Sequence, residues 1–212
     1  MQEATPRRRA GRLASAGPII EAAATLFLRN GYLGTSMDEI AALARVSKQT
    51  VYTHFPNKER LFTDLVLRNA ELVDEFLDTI TAMLHNTTEV EKDLSALARR
   101  YVRYVIRPQT LQLRQLVIGE ARRFPKLARS YYERVPQRVL AMLASEFAHL
   151  TERDLLHTDD PRLAADHFAW LILGMPMDRA MFLGADDASS PAQLDRLADA
   201  GVRAFLSAYG PR

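Results

Sequence analysis

Within the stretch Val46-Ser-Lys-Gln-Thr-Val-Tyr-Thr-His-Phe-Pro-Asn-Lys-Glu, three consecutive side chains carry the hydrogen-bonding chemistry that reads base edges. Gln49 can hold adenine through two hydrogen bonds, Lys48 can donate to the acceptors of guanine, and the Thr50 methyl can meet that of thymine. Each well-formed pair of this kind discriminates by about 1–3 kcal/mol. Tyr52, His54 and Lys58 follow at positions suited to phosphate contacts, and the amide-rich helix start at Ser36 suits the same role. Phosphate contacts position a protein on a duplex without specifying sequence.

Enzymatic chemistry finds little to work with. The chain has no phosphate-binding glycine loop, no Gly-x-Ser-x-Gly and no His-Glu-x-x-His, and its five His are scattered. The absence of Cys removes disulfides, thiolate metal sites and a thiol nucleophile. His157, Asp160 and His167 could be gathered around a metal, but a predicted turn separates them and Asp160 opens a helix. The expectation is a protein that is not an enzyme and uses no cofactor and no metal.

The base-reading residues need a frame, and the surrounding pattern supplies one. Ser36-Met-Asp-Glu is a capping box, in which the serine oxygen accepts an orphan amide and the glutamate three residues on accepts from the cap. It predicts a helix over 37–44 that buries Met37, Ile40, Ala41 and Ala44. Ser47 caps a second short helix from Lys48 to Phe55, with Val51 and Phe55 inward and Pro56 ending it. Two short helices joined by Arg45, Val46 and Ser47 form a helix-turn-helix, which brings the start of the second helix to base-edge height in a major groove. An earlier helix over 16–30 carries the stripe Ile19, Ile20, Ala23, Leu26 and Phe27 up to Asn30-Gly31.

Helical periodicity continues throughout, with no hairpin signal, so the fold class is all-α. Breaks at Asn86, Pro108, Pro125, Pro161 and Pro191 divide the remainder into helices over 58–85, 89–106, 108–123, 125–150, 160–183 and 191–208. That predicts nine helices, the seventh kinked by Pro136. The 212 residues carry a formal charge of +2, unevenly placed: residues 1–60 hold 9 basic and 5 acidic side chains, the remainder 19 and 21. A basic segment on a slightly acidic body suits a polyanion-binding module. The expected organisation is a disordered basic arm over 1–14, a helix-turn-helix domain over 15–60 and a helical body over 61–212. The longest apolar run, Phe168 to Met177, is far short of the roughly 20 residues a membrane span needs. The amino-terminal arginines are not followed by an apolar core of an export signal, so a cytoplasmic location is expected.

Residues 19–65, above all Thr35-Ser-Met-Asp-Glu-Ile-Ala and the Val46 stretch, closely resemble the DNA-binding domain of TetR-family transcriptional regulators. Residues 112–140 and 159–174, with Phe124-Pro-Lys-Leu-Ala-Arg-Ser-Tyr-Tyr-Glu and Asp160-Pro-Arg-Leu-Ala-Ala-Asp-His-Phe, resemble the AefR-like carboxy-terminal domain of that family. The resemblance implies a nine-helix TetR-like fold and a homodimeric repressor. Its first three helices would bind a palindromic operator, and its body would bind a small molecule that releases it. Positions matching Lys48, Gln49, Thr50, Tyr52, His54 and Lys58 face DNA in the family. Where this chain has Arg45, the family often has Gly, so Arg45 either adopts a left-handed backbone at about 1 kcal/mol or reshapes the turn, with its guanidinium available to phosphate. Arg7, Arg8, Arg9 and Arg12 resemble arms that some members lay along DNA, a solvated tail being the alternative.

In the body, aromatic and methionine side chains suggest a pocket for an apolar or aromatic ligand: Phe76, Met83, Tyr101, Tyr104 and Phe124, then Tyr131, Tyr132, Met142 and Trp170. Glu120 and Arg114 could add polar contacts, a solvated salt bridge being the alternative for either. The last two helices are unusually apolar, and the resemblance implies that they pair with their two-fold mates through Phe168, Leu171, Met175 and Phe182 and through Leu194, Leu197, Val202 and Phe205. A helical interaction protein without operator preference is the rival reading.

Overall fold

A computed structural model describes residues 6–71, 73–184 and 189–211, and its elements are all α-helices. They are α1 (Pro6–Asn30), α2 (Met37–Leu43), α3 (Lys48–His54), α4 (Lys58–Glu71), α5 (Asp74–Leu84) and α6 (Val90–Val105). The chain continues with α7 (Pro108–Gly119), α8 (Pro125–Arg134), α9 (Pro136–Glu152), α10 (Pro161–Leu183) and α11 (Pro191–Tyr209). Among the described residues eleven helices thus stand where the sequence pattern predicts nine. Both additions are splits of one predicted helix. Pro136 lacks the amide that would continue the ladder, and at Val135 (φ −115°, ψ −80°) the backbone leaves helical geometry, so Pro136 opens a new helix instead of kinking an old one. The 58–85 segment divides between Glu71 and Asp74; the Val73 carbonyl accepts the amides of Phe76 and Leu77, and Asp74 and Glu75 place negative charge at the new amino end. α1 begins at Pro6 rather than near residue 16. The backbone that carries Arg7, Arg8, Arg9 and Arg12 is thus helical rather than the disordered arm expected over 1–14, while residues 1–5 and the side chains of 6–15 lie outside the described residues.

The chain divides into two compact units. The first runs to Ala70 and includes Leu116–Ala128; the second comprises Glu71–Gln115 and the chain from Arg129 onward. In the first, Ile19, Phe27, Ile40, Val51, Leu61 and Phe62 are sealed from solvent and join α1, α2, α3 and α4. Burying each such side chain contributes about 1.5–3 kcal/mol. Phe27, Tyr32, Phe62 and Phe124 form a ring cluster with centroids 4.8–5.8 Å apart.

In the second unit, α10 packs against α9, α11 and α6, and α5 packs against α9 and α6. The rings of Phe147, Phe168 and Phe205 meet at 5.1–5.4 Å in its centre. Gly201 lets α11 approach α10 closely, since a Cβ there would stand 3.0 Å from the Leu171 carbonyl oxygen. Arg99 donates twice to Asp199 at 2.7 Å, and Arg103 to Asp195, linking α6 to α11 along the surface. Capping is local: Asp160 accepts the Leu163 amide, and Ser190 and Gln193 form a reciprocal box. No helix of the described residues is long and apolar enough to cross a membrane.

Candidate nucleic-acid interface

The supporting turn is built as the sequence pattern predicts. Ser36 (φ −112°, ψ 155°) accepts the Glu39 amide at 3.2 Å, while its own amide and hydroxyl donate to Glu39 Oε2 at 2.8 and 2.7 Å. Those two hydrogen bonds from Ser36 hold the Glu39 carboxyl below its ordinary pKa. Met37, Ile40 and Ala41 are buried, and Ala44 at the helix end is half-buried. The chain then turns on Arg45, whose φ of 56° is left-handed, and the Val46 amide donates to the Ala41 carbonyl at 3.1 Å. Arg45 therefore adopts the strained conformation rather than reshaping the turn. Its side chain is exposed and makes no ion pair among the described residues.

Ser47 caps α3, accepting the Thr50 amide at 3.1 Å, and the Ser47 and Thr50 hydroxyls share a hydrogen bond of 2.8 Å. Val51 and Phe55 point inward at 0% and 4% exposure, which fixes the rotation of α3 and turns Lys48, Gln49 and Tyr52 to solvent. Thr50 is half-buried at the same helix start. The Lys48 ammonium meets Asp38 at 2.6 Å across the turn, a partner not identified from the sequence pattern. Both groups are more than half exposed, so exchanging this pair for a base contact costs little, as exposed ion pairs are worth about 0–1 kcal/mol. Lys58 is engaged differently: its ammonium donates to the carbonyls of Tyr32 and Thr35 at 2.8 and 2.7 Å and lies 4.4 Å from the centre of the Tyr32 ring. It ties α4 to the loop before α2. His54 is half-buried at the end of α3 beside the Phe55 ring. Two short helices with one polar, exposed amino end and a rigid apolar back make a helix-turn-helix.

The matches to known proteins agree with this geometry. Residues 19–65 match the family model for bacterial regulatory proteins of the tetR family, and residues 92–211 match that for the carboxy-terminal domain of AefR-like transcriptional repressors. The chain belongs to the TetR family. A solved structure from Mesorhizobium loti, described as a TetR-family transcriptional regulator, is 44% identical, covers 94% of this chain and 98% of its own, and has a TM-score of 0.87. The flavonoid-responsive regulator FrrA is 34% identical over 92% of this chain and 96% of its own, with a TM-score of 0.71. The HTH-type regulator YhgD of Bacillus subtilis is 51% identical over 47 residues, 22% of this chain and 25% of its own. The chain spans less than half the length of the curated relatives it first matches.

In this TetR-family protein the second unit gathers part of the predicted ligand set. Phe76 of α5 is stacked between Tyr101 and Tyr104 of α6, with centroids 5.2 and 5.0 Å away. Burial raises the pKa of all three tyrosines Tyr101, Tyr104 and Tyr131, and the nearby Arg114 charge partly offsets it at Tyr101 and Tyr131. Met142 accepts a hydrogen bond from Thr81 through its sulfur, and Met83 packs at the rim of the same core. Three predicted members lie elsewhere. Phe124 sits in the ring cluster of the first unit, and Glu120 pairs with Arg123 at 3.9 Å in that unit. Trp170 is 62% exposed on α10, in a hollow of about 380 Å³ with His167, Leu171, Phe205, Ala208 and Tyr209. Tyr132 is also exposed.

The predicted pairing residues divide by burial. Phe168, Leu194, Val202 and Phe205 are inside the protomer core, at 4% exposure or less. Leu171, Met175, Phe182 and Leu197 are exposed. With successive residues turning by about 100°, Leu163, Trp170, Leu171, Met175 and Phe182 fall on one side of α10. Among the described residues no three His, Asp or Glu side chains gather to hold a metal. His167 instead bonds the Tyr209 hydroxyl, and Asp160 caps α10.

Proposed function

We propose that this protein is a homodimeric repressor that binds a palindromic operator through Lys48, Gln49 and Thr50 and is released by a small apolar or aromatic molecule. The observation that carries this reading is the helix start itself. Three adjacent side chains with base-reading chemistry stand at the amino end of a helix whose rotation Val51 and Phe55 fix, behind a turn closed by two serine caps. Tyr52, His54 and Arg45 flank it as phosphate contacts, and Lys58 acts by holding the α2 entry in place. The AefR-like repressor match over 92–211 supports repression, and similarity to a flavonoid-responsive regulator supports an aromatic ligand. The exposed stripe on α10 with Leu197 of α11 supports self-association, because a soluble monomer rarely leaves so much contiguous apolar surface open. A dimer also meets the need for two recognition helices about 34–36 Å apart. A regulator of DNA in a bacterial cell works in the cytoplasm, and binding rather than catalysis is its activity.

The test is fluorescence anisotropy with DNA flanking the protein's own gene, at two salt concentrations and with excess nonspecific competitor. A tight complex that resists competitor and is weakened by Gln49→Ala supports specific readout. Binding that vanishes with competitor or modest salt means charge alone and favours the interaction-protein rival.

A further inference from the structure

Leu116–Ala128 folds with the first unit, although it lies inside the stretch 92–211 that matches the carboxy-terminal family model. The chain passes between the units three times: after Ala70 at the end of α4, after Gln115 inside α7, and after Ala128 inside α8. At the first passage one helix ends at Glu71 and another begins at Asp74, whereas α7 and α8 are unbroken through theirs. A displacement of α7 or α8 is therefore carried along an intact helix to the turn that joins them. That turn is closely tied. The Glu120 carbonyl accepts the amides of Arg123 and Phe124 at 3.0 and 2.9 Å, and the Phe124 carbonyl accepts that of Ala128 at 3.0 Å. Val117 and Leu127 are buried on either side of it. The Phe124 ring meets Tyr32 edge-on at 4.8 Å and Phe62 at 5.5 Å, and the Arg123 guanidinium stands 5.7 Å from the centre of the same Tyr32 ring.

Tyr32 belongs to the link between α1 and α2. Within residues 31–36 only Tyr32 and Thr35 are buried, while Leu33 beside them is exposed. The Thr35 hydroxyl donates to the Gly31 carbonyl at 2.9 Å, Lys58 holds the carbonyls of Tyr32 and Thr35, and Ser36 opens α2 as its cap. The link is thus seated by one aromatic side chain, and Phe124 is one wall of the seat. We propose that Phe124 is a positioning residue for DNA binding: packed on Tyr32, it holds the link and with it the entry of α2, so that the turn between α7 and α8 sets how much of the protein has its helix-turn-helix ready to bind. This inference rests on reading α3 as the DNA-reading helix. Without the ring Tyr32 leaves its seat more often, and apparent affinity falls with the competent fraction. In a dimer both links must be seated, so a link seated about a third of the time weakens binding about tenfold.

Fluorescence anisotropy of the full-length protein with a duplex that the native protein enriches from a random pool tests it. Phe124→Leu, which keeps apolar bulk and removes the ring, should weaken binding about tenfold, equivalent to about 1.4 kcal/mol, with the salt slope unchanged because no phosphate contact is lost. Phe124→Tyr, which keeps the ring, should bind within about twofold of the native protein. Tyr32→Leu should lose a similar factor, and the double variant no more than either alone, as two residues acting through one contact do. Thermal melts check that each variant is folded at the assay temperature, and faster amide exchange should be confined to residues 31–40, with α9, α10 and α11 as in the native protein. A folded Phe124→Leu protein that binds like the native one, a salt slope that falls, or a double variant whose loss is the product of the two single losses overturns the role. If the native protein enriches no duplex, the DNA-binding reading falls and this one with it; if it does and Phe124→Leu is neutral, only this one falls.

Discussion

Replacing Arg45 by glycine separates two roles that the turn combines. The residue is exposed and holds φ at 56°, so the change removes backbone strain without removing any buried contact. A left-handed non-glycine residue costs about 1–2 kcal/mol, and glycine returns about 0.5–1 kcal/mol of that through its greater freedom in the unfolded chain. The net expectation is a gain of about 0.5–1 kcal/mol, read as a higher denaturation midpoint at unchanged slope. Operator binding should move the other way, because the phosphate contact proposed for Arg45 is lost with its charge, and the salt slope should fall by about 1. Arg45→Asn keeps a residue that tolerates the left-handed region but lacks the charge, so it should lose the same DNA affinity with little of the added stability. Arg45→Gly that is neutral or destabilising would refute the strain argument. An unchanged salt slope in both variants would remove Arg45 from the DNA contacts.

Other perturbations probe the remaining joints. Ser36→Ala should cost about 1 kcal/mol near neutral pH. Because hydrogen bonds from Ser36 lower the Glu39 pKa, their stabilisation is complete above the ordinary carboxyl value of 4.5 and is lost as pH falls through the lowered one, so the gap between native and variant should narrow in acid; a gap independent of pH contradicts this. Phe62→Ala, at 1% exposure among the Phe27, Tyr32 and Phe124 rings, should destabilise the protein by about 3–5 kcal/mol in a denaturant titration, and a loss below about 1 would contradict the packing. Met175→Glu with Phe182→Glu, both at exposed positions, should leave a folded chain that elutes as a monomer in light-scattering chromatography, whereas an unchanged mass would show that this stripe does not pair.

The helix-turn-helix was legible because its determinants are local. A capping box, a serine cap and two inward residues each act within one turn of helix, and the structure places Ser36, Ser47, Val51 and Phe55 as their types require. The second unit was less legible. Apolar periodicity tells which side of a helix avoids water but not what covers it, so on α10 and α11 the buried Phe168 and Phe205 and the exposed Met175 and Phe182 look alike in sequence. Phe124 carried the same ambiguity: its aromatic side chain is satisfied by Tyr32, far away in the chain, rather than by the tyrosines of α6. Lys58 was placed by type among phosphate contacts, and nothing in its type tells that its ammonium also donates to the Tyr32 and Thr35 carbonyls.

Selection of binding sites from a pool of random duplexes, using the full-length protein with excess competitor DNA, tests the central claim most directly. The account predicts enrichment of an inverted repeat whose half-sites are centred about one helical turn, 10–10.5 base pairs, apart or a multiple of it, with Gln49→Ala relaxing preference at one position of each half-site. A pool that stays random, or an enriched motif without two-fold symmetry that Gln49→Ala leaves unchanged, would contradict it.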